Sequence, residues 1–167
     1  MAKKSLIVRH AKSDWGQAGL KDFDRPLNAR GKKNAPEMGK HLAKKGIKPD
    51  AIISSPALRA ITTCEIISGE LGFENNIILE PKIYEASAQT LLNIINNFNN
   101  TDDLVVLFGH NNGITDLAIY LSDADIFNIP TCGMVLIEFP FYDWKMVSKS
   151  TGNVLFFDFP KNLKDSF

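Results

Sequence analysis

The chain has little that would commit it to a membrane, a nucleic acid or a disulfide framework. No apolar run approaches the ~20 residues a membrane-spanning helix needs. The opening segment MAKKSLIVRH has a three-residue apolar run before Arg9, far short of a signal h-region, so a cytoplasmic protein without membrane contact is expected. Lysine plus arginine equals aspartate plus glutamate at 19 each, so no net field draws the chain to nucleic acid or an anionic surface. Neither partner is expected, and any anion recognition must be local. The two cysteines, Cys64 and Cys132, lie far apart within apolar segments and read as reduced core residues. There is no G-x-x-x-x-G-K-[ST], no G-x-S-x-G and no H-E-x-x-H. A P-loop, the usual serine-hydrolase elbow and a zincin centre are thereby excluded.

What is present is enough apolar residue, 44% of 167, for one domain spanning residues 1–167 around one core. Short β-rich runs alternate with helix-period segments, the pattern of a layered α/β fold with a mostly parallel sheet and helices on both faces. Strands are expected at 5–9, 51–54, 77–79, 104–108, 134–139 and 154–159. After Pro130 the segments GMVLIEF, WKMV and NVLFFDF, separated by turn residues, suggest an antiparallel extension. The clearest helix begins at SSPALRA, with Ser55 as cap, Pro56 in the first turn and Gly72 as terminator. Ala57, Ala60, Ile61, Cys64, Ile67 and Leu71 form its apolar face. Further helices follow Ser87 and Asn112, and another covers 29–45, where Pro36 should kink or restart it.

Ligands of open α/β sheets bind beyond the carboxyl ends of the strands, and three motifs fall there. Arg9-His10 closes the first strand, and both side chains can address one ligand only if the chain leaves β geometry at that point. Arg59, in the first turn of a helix, opposes the helix dipole unless an anion sits between them. His110 follows LVVLFG and precedes a helix start whose free N–H groups suit an anion, with Gly109 allowing a sharp turn. Two histidines beside two arginines disfavour a metal site, since the guanidinium groups repel a cation. His41, in MGKHLAKKG, reads as a surface residue.

VRHAKSDW, DRPLNARG, SSPALRA and GHNNG, in this order, together with PTCGMVLIEF and FPKNL, resemble the histidine phosphatase superfamily, in particular its small SixA-like phosphohistidine phosphatases. The likeness runs from about residue 5 to 160 and departs from the more usual G-H-N-P-G at Asn112. It implies a three-layer sandwich without a lid domain, with His10 as a transiently phosphorylated nucleophile and Arg9, Arg59 and His110 around the phosphoryl oxygens. The chemistry suits these residue types: a neutral imidazole is a usable nucleophile near pH 7, and phosphoryl transfer needs chiefly positioning and positive charge, to which a protonated His110 would add. No metal or organic cofactor is required. Ser13 can donate a hydrogen bond to phosphate, while Asp24 and Arg25 pin the loop. Glu85 stands between two readings, an acid for an alkoxide leaving group or a carboxylate favoured by a helix N-terminus.

Only 24 residues separate Glu85 from His110, too few for a lid. An open pocket suits a phosphoryl group presented on another protein, so a histidine-phosphorylated protein is the expected substrate. Two other readings stand: a phosphatase for small phosphate esters that depends on Glu85, and a non-catalytic phosphoprotein-binding module. Trp15 and Phe23, in the loop after His10, either form a docking surface or pack that loop down.

Overall fold

The computed structural model describes residues 2–164, so the expected domain of 1–167 extends past the described residues at both ends. Six strands form one sheet: β1 (Lys3–Arg9), β2 (Ala51–Ser54), β3 (Ile78–Leu79), β4 (Leu104–Gly109), β5 (Met134–Phe139) and β6 (Asn153–Asp158). Their spatial order is β3-β2-β4-β1-β5-β6. The pairs β1–β4, β2–β4 and β2–β3 are parallel, and β5 and β6 add antiparallel. The helices are α1 (Ala29–Lys44), α2 (Leu58–Glu70), α3 (Ala88–Asn96), α4 (Gly113–Ser122) and α5 (Pro160–Lys164).

Alternation along the central strands divides the core. Leu6, Val8, Val106 and Phe108 pack with Met38 and Leu42 of α1 and Cys64 and Ile67 of α2. Ile7, Val105 and Leu107 pack with Leu91 and Ile95 of α3 and Ile114 and Leu117 of α4. A strand buried on both faces must be apolar at every position, which is why LIV and LVVLF are unbroken. The result is the expected three-layer arrangement. From Glu85 to His110 the chain holds only α3, a turn and β4, with no lid.

The structure corrects several local expectations. α1 runs continuously through Pro36; proline removes one N–H, but Ala35, Met38 and Leu42 are fully buried and their packing outweighs one lost bond. α2 starts at Leu58 with Ala57 at its cap position, so Ser55 does not cap it. WKMV makes no strand: Trp144–Met146 is a 3-10 turn, with the Trp144 indole N–H donating to the Asp102 carbonyl. His41 is no free surface residue, since its Nε2 lies 2.7 Å from Asp158 Oδ2 and ties α1 to β6. Gly109 has no positive φ; a side chain there would press on Ile83 and Ile114, with Cβ at 3.1 Å from each, so packing explains this glycine. Cys64 and Cys132 are free and buried, with thiol pKa values pushed up to about 12 by burial.

Candidate active site

The three parallel strands β1, β2 and β4 end at the same edge, β1 and β4 in register and β2 one residue short of them. The first residue beyond each is His10, Ser55 and His110. β geometry stops where Arg9 and His10 need it to. The His10 N–H donates to the Gly109 carbonyl, its own carbonyl accepts from Cys132 N–H, and Ala11 N–H turns to Thr63 Oγ1. His10 and His110 thereby face one another with ring centroids 5.2 Å apart. A cleft of about 240 Å³ is lined by Arg9, His10, Ser13, Arg59 and His110, together with Asp22, Arg25 and Trp15.

The hydrogen bonds define the state of His10. Its Nδ1 lies 2.7 Å from the Ala11 carbonyl, an acceptor only, so Nδ1 carries the proton and Nε2 keeps its lone pair. Arg59 Nε donates to that Nε2 at 3.3 Å. Burial, with the charges of His110, Arg59 and Arg9 acting the same way, pulls the His10 pKa down to about 3 despite the Ala11 bond. The ring is therefore neutral at pH 7. His110 is held down to about 4 by burial and then by Arg59. The expected protonated His110 is thus corrected: this ring offers hydrogen bonding, not charge. Its Nε2 lies 2.8 Å from Ser55 Oγ, and its Nδ1 is buried without a partner, as is Arg9 Nε. Arg9 is anchored through Nη1 on the Ile129 carbonyl.

Arg59 sits in the first turn of α2, as expected, and is buried. Its Nη1 donates to the Asp22 carbonyl and its Nη2 to Asp22 Oδ2. The loop carboxylate that does the pinning is Asp22, not Asp24. Asp22 also accepts from Arg25 Nε and from the Tyr84 hydroxyl. The Tyr84 bond, before the arginines, lowers its pKa to about 2. Arg25 is buried, as expected of a pinning residue: it donates to Ser13 Oγ at 2.7 Å and stacks on Trp15 at 3.5 Å from the ring centroid. Because an arginine donates but never accepts, the Ser13 hydroxyl proton stays available to another acceptor.

Glu85 is not brought into this cleft. It is exposed, adopts a positive φ of 59° and does not line the cavity. Sequence reasoning missed Asp22, Tyr84 and Ser55. Ser55 had a readable signal, since it follows β2 as His10 follows β1 and His110 follows β4. Among the described residues, no group of three or more His, Cys, Asp and Glu side chains could hold a metal ion.

A family model described as the histidine phosphatase superfamily, branch 1, matches residues 5–94. The chain belongs to that superfamily. An uncharacterized chloroplastic protein of Arabidopsis thaliana is 31% identical over 147 residues, 83% of this chain and 67% of that one. The chain spans about a quarter of the length of the Drosophila Pgam5 serine/threonine-protein phosphatases it also matches, 26% for that of Drosophila simulans. Among solved structures, SixA from Agrobacterium tumefaciens superposes with a TM-score of 0.83 at 24% identity, covering 96% of this chain and 99% of that one. The protein histidine phosphatase SixA complexed with tungstate gives a TM-score of 0.82 at 19% identity, with coverages of 96% and 99%. These structures share the fold of this member of the superfamily.

Proposed function

We propose that the protein is a one-domain cytoplasmic phosphatase that removes phosphate from phosphohistidine on another protein, through a phosphorylated His10 and without a metal. The observation that carries the reading is the Nδ1 bond of His10 to the Ala11 carbonyl at 2.7 Å, which leaves Nε2 bare and held beside Arg59 in a lidless cleft. In-line attack by Nε2 on phosphorus forms the P–N bond and breaks the bond to the leaving nitrogen, which departs as neutral imidazole from a substrate ring protonated at its other nitrogen. Water then attacks phospho-His10, releasing phosphate and restoring the neutral ring. Arg9 and Arg59 supply charge to the equatorial oxygens, while Ser13 and His110 supply N–H or O–H donors. That a SixA of the same fold is complexed with tungstate supports oxyanion binding.

The leaving group needs little acid assistance, because an imidazole ring takes up a proton at its other nitrogen with a pKa near 6.5 and can then depart neutral. Glu85, outside the cleft, is then dispensable. The test is phosphate release in EDTA from a histidine-phosphorylated carrier protein beside an aryl phosphate, with native protein and His10→Ala. Fast release from the carrier, abolished in the variant, is expected. Hydrolysis of the aryl ester alone would turn the assignment to small phosphate esters. Stoichiometric binding of the carrier without release would indicate a binding module.

A further inference from the structure

Ser55 has no role in the proposed reaction, yet it is fully buried at the end of β2, the strand next to the one that leads to His110. Its main chain is committed to the sheet and its neighbour: the N–H donates to the Phe108 carbonyl, and the carbonyl accepts from Ser54 Oγ. Its hydroxyl oxygen already accepts the Ala57 N–H at 3.2 Å. Because the Ser55 side chain is itself fully buried, its hydroxyl proton must find an acceptor within the protein, or its burial is uncompensated. Among the described residues, the acceptor that lies within reach is His110 Nε2, at 2.8 Å. If Nε2 carried the proton instead, the Ser55 oxygen would accept from both Nε2–H and the Ala57 N–H, and the serine proton would have nowhere to go.

We infer that Ser55 is a positioning residue that donates its hydroxyl proton to His110 Nε2 and so fixes the neutral ring with its own proton on Nδ1. The unpartnered buried Nδ1 is then an N–H donor to which the described residues offer no acceptor. An incoming phosphoryl oxygen supplies that acceptor. With the other tautomer, a lone pair would meet the phosphoryl oxygens and repel them. The edge-on Tyr84 ring, 5.5 Å from His110 at 83°, packs the imidazole without offering Nδ1 a hydrogen bond. This inference rests on the reading of His10 as the phosphoryl acceptor for its catalytic consequence, but not for the tautomer itself.

The tautomer is read directly from nitrogen–proton correlations in ¹⁵N-histidine-labelled protein at pH 7, without substrate. His110 protonated on Nδ1 and bare at Nε2 is expected in the native chain, and an Nε2–H signal there overturns the inference. Because this measurement uses unmodified protein, it stands even if a variant fails to fold. In Ser55→Ala the proton should redistribute toward Nε2. The kcat for phosphate release should fall roughly ten- to a hundredfold with KM little changed, within the roughly 10⁴-fold loss that follows when a serine-protease histidine is held in the wrong tautomer. Ser55→Thr, which keeps the hydroxyl, should restore most of it. Native kcat in Ser55→Ala, or an unchanged tautomer, overturns the positioning role. Failure of the phosphatase reading would appear instead as absent turnover in the native protein with the Nδ1–H tautomer intact.

Discussion

At the scale of single residues, Arg59 shows how much of the site rests on geometry that charge alone cannot supply. Its three nitrogens donate to His10 Nε2, the Asp22 carbonyl and Asp22 Oδ2, a fork that an ammonium cannot reproduce. Arg59→Lys should therefore lower kcat/KM by roughly 10²- to 10³-fold, the usual loss when a transition-state donor is misplaced; steady-state phosphate release measures it, and a loss under tenfold would mean that only the charge matters. Tyr84→Phe removes the largest contributor to the low Asp22 pKa, so the carboxylate should titrate closer to the ordinary aspartate range. Carbon-detected NMR titration of Asp22 reads that shift directly, and an unmoved midpoint would contradict it. His10, Arg9, Arg59 and His110 were legible because each breaks an apolar pattern or opposes a helix dipole at a strand end. Asp22 was not, because in KDFDRP two aspartates precede Arg25, and only the 3-10 turn at 22–24 decides which carboxylate meets the arginines.

At the scale of elements, the approach of α1 to the loop that follows His10 depends on a missing side chain. A Cβ on Gly31 would stand 2.2 Å from the Lys12 carbonyl oxygen, backbone against backbone, so neither partner can rotate away. Gly31→Ala should cost roughly 1–3 kcal/mol, seen as a lower urea midpoint at unchanged slope, with lowered activity because Lys12 precedes Ser13. The same closeness recurs at Gly113, whose Cβ would lie 2.2 Å from the Ala86 carbonyl oxygen. Strands and helices were readable from periodicity almost to their ends. The misjudged pieces were those where tertiary contacts override local preference: Pro36 inside α1, held by its buried neighbours, and WKMV, wound into a turn by Asn96, whose amide donates to the Trp144 and Val147 carbonyls.

At the scale of the whole molecule, two buried neutral imidazoles make stability depend on pH. In the unfolded chain each titrates near 6.5, whereas in the fold His10 waits until about 3 and His110 until about 4. Between those limits the unfolded state binds more protons, so stability falls as pH is lowered from about 6.5 toward 4. The slope is at most about 1.4 kcal/mol per pH unit for each group. Thermal melts from pH 7 to 4 should show this decline, and His10→Asn should flatten part of it; parallel curves for both proteins would refute the assignment. Inorganic phosphate at pH 7 should raise the melting temperature of the native protein through linkage, and less so in Arg59→Ala.

The bond between His10 Nδ1 and the carbonyl of the very next residue also dictates regiochemistry. A ring so tethered can be modified only at its far nitrogen, so the covalent intermediate of the proposed reaction would be a single isomer, the one substituted at Nε2. Its P–N linkage survives base and perishes in acid. Rapid quenching into alkali, digestion without an acid step and isomer-selective antibodies should reveal the mark on the His10 peptide, whereas an acidified workflow would return the same peptide blank.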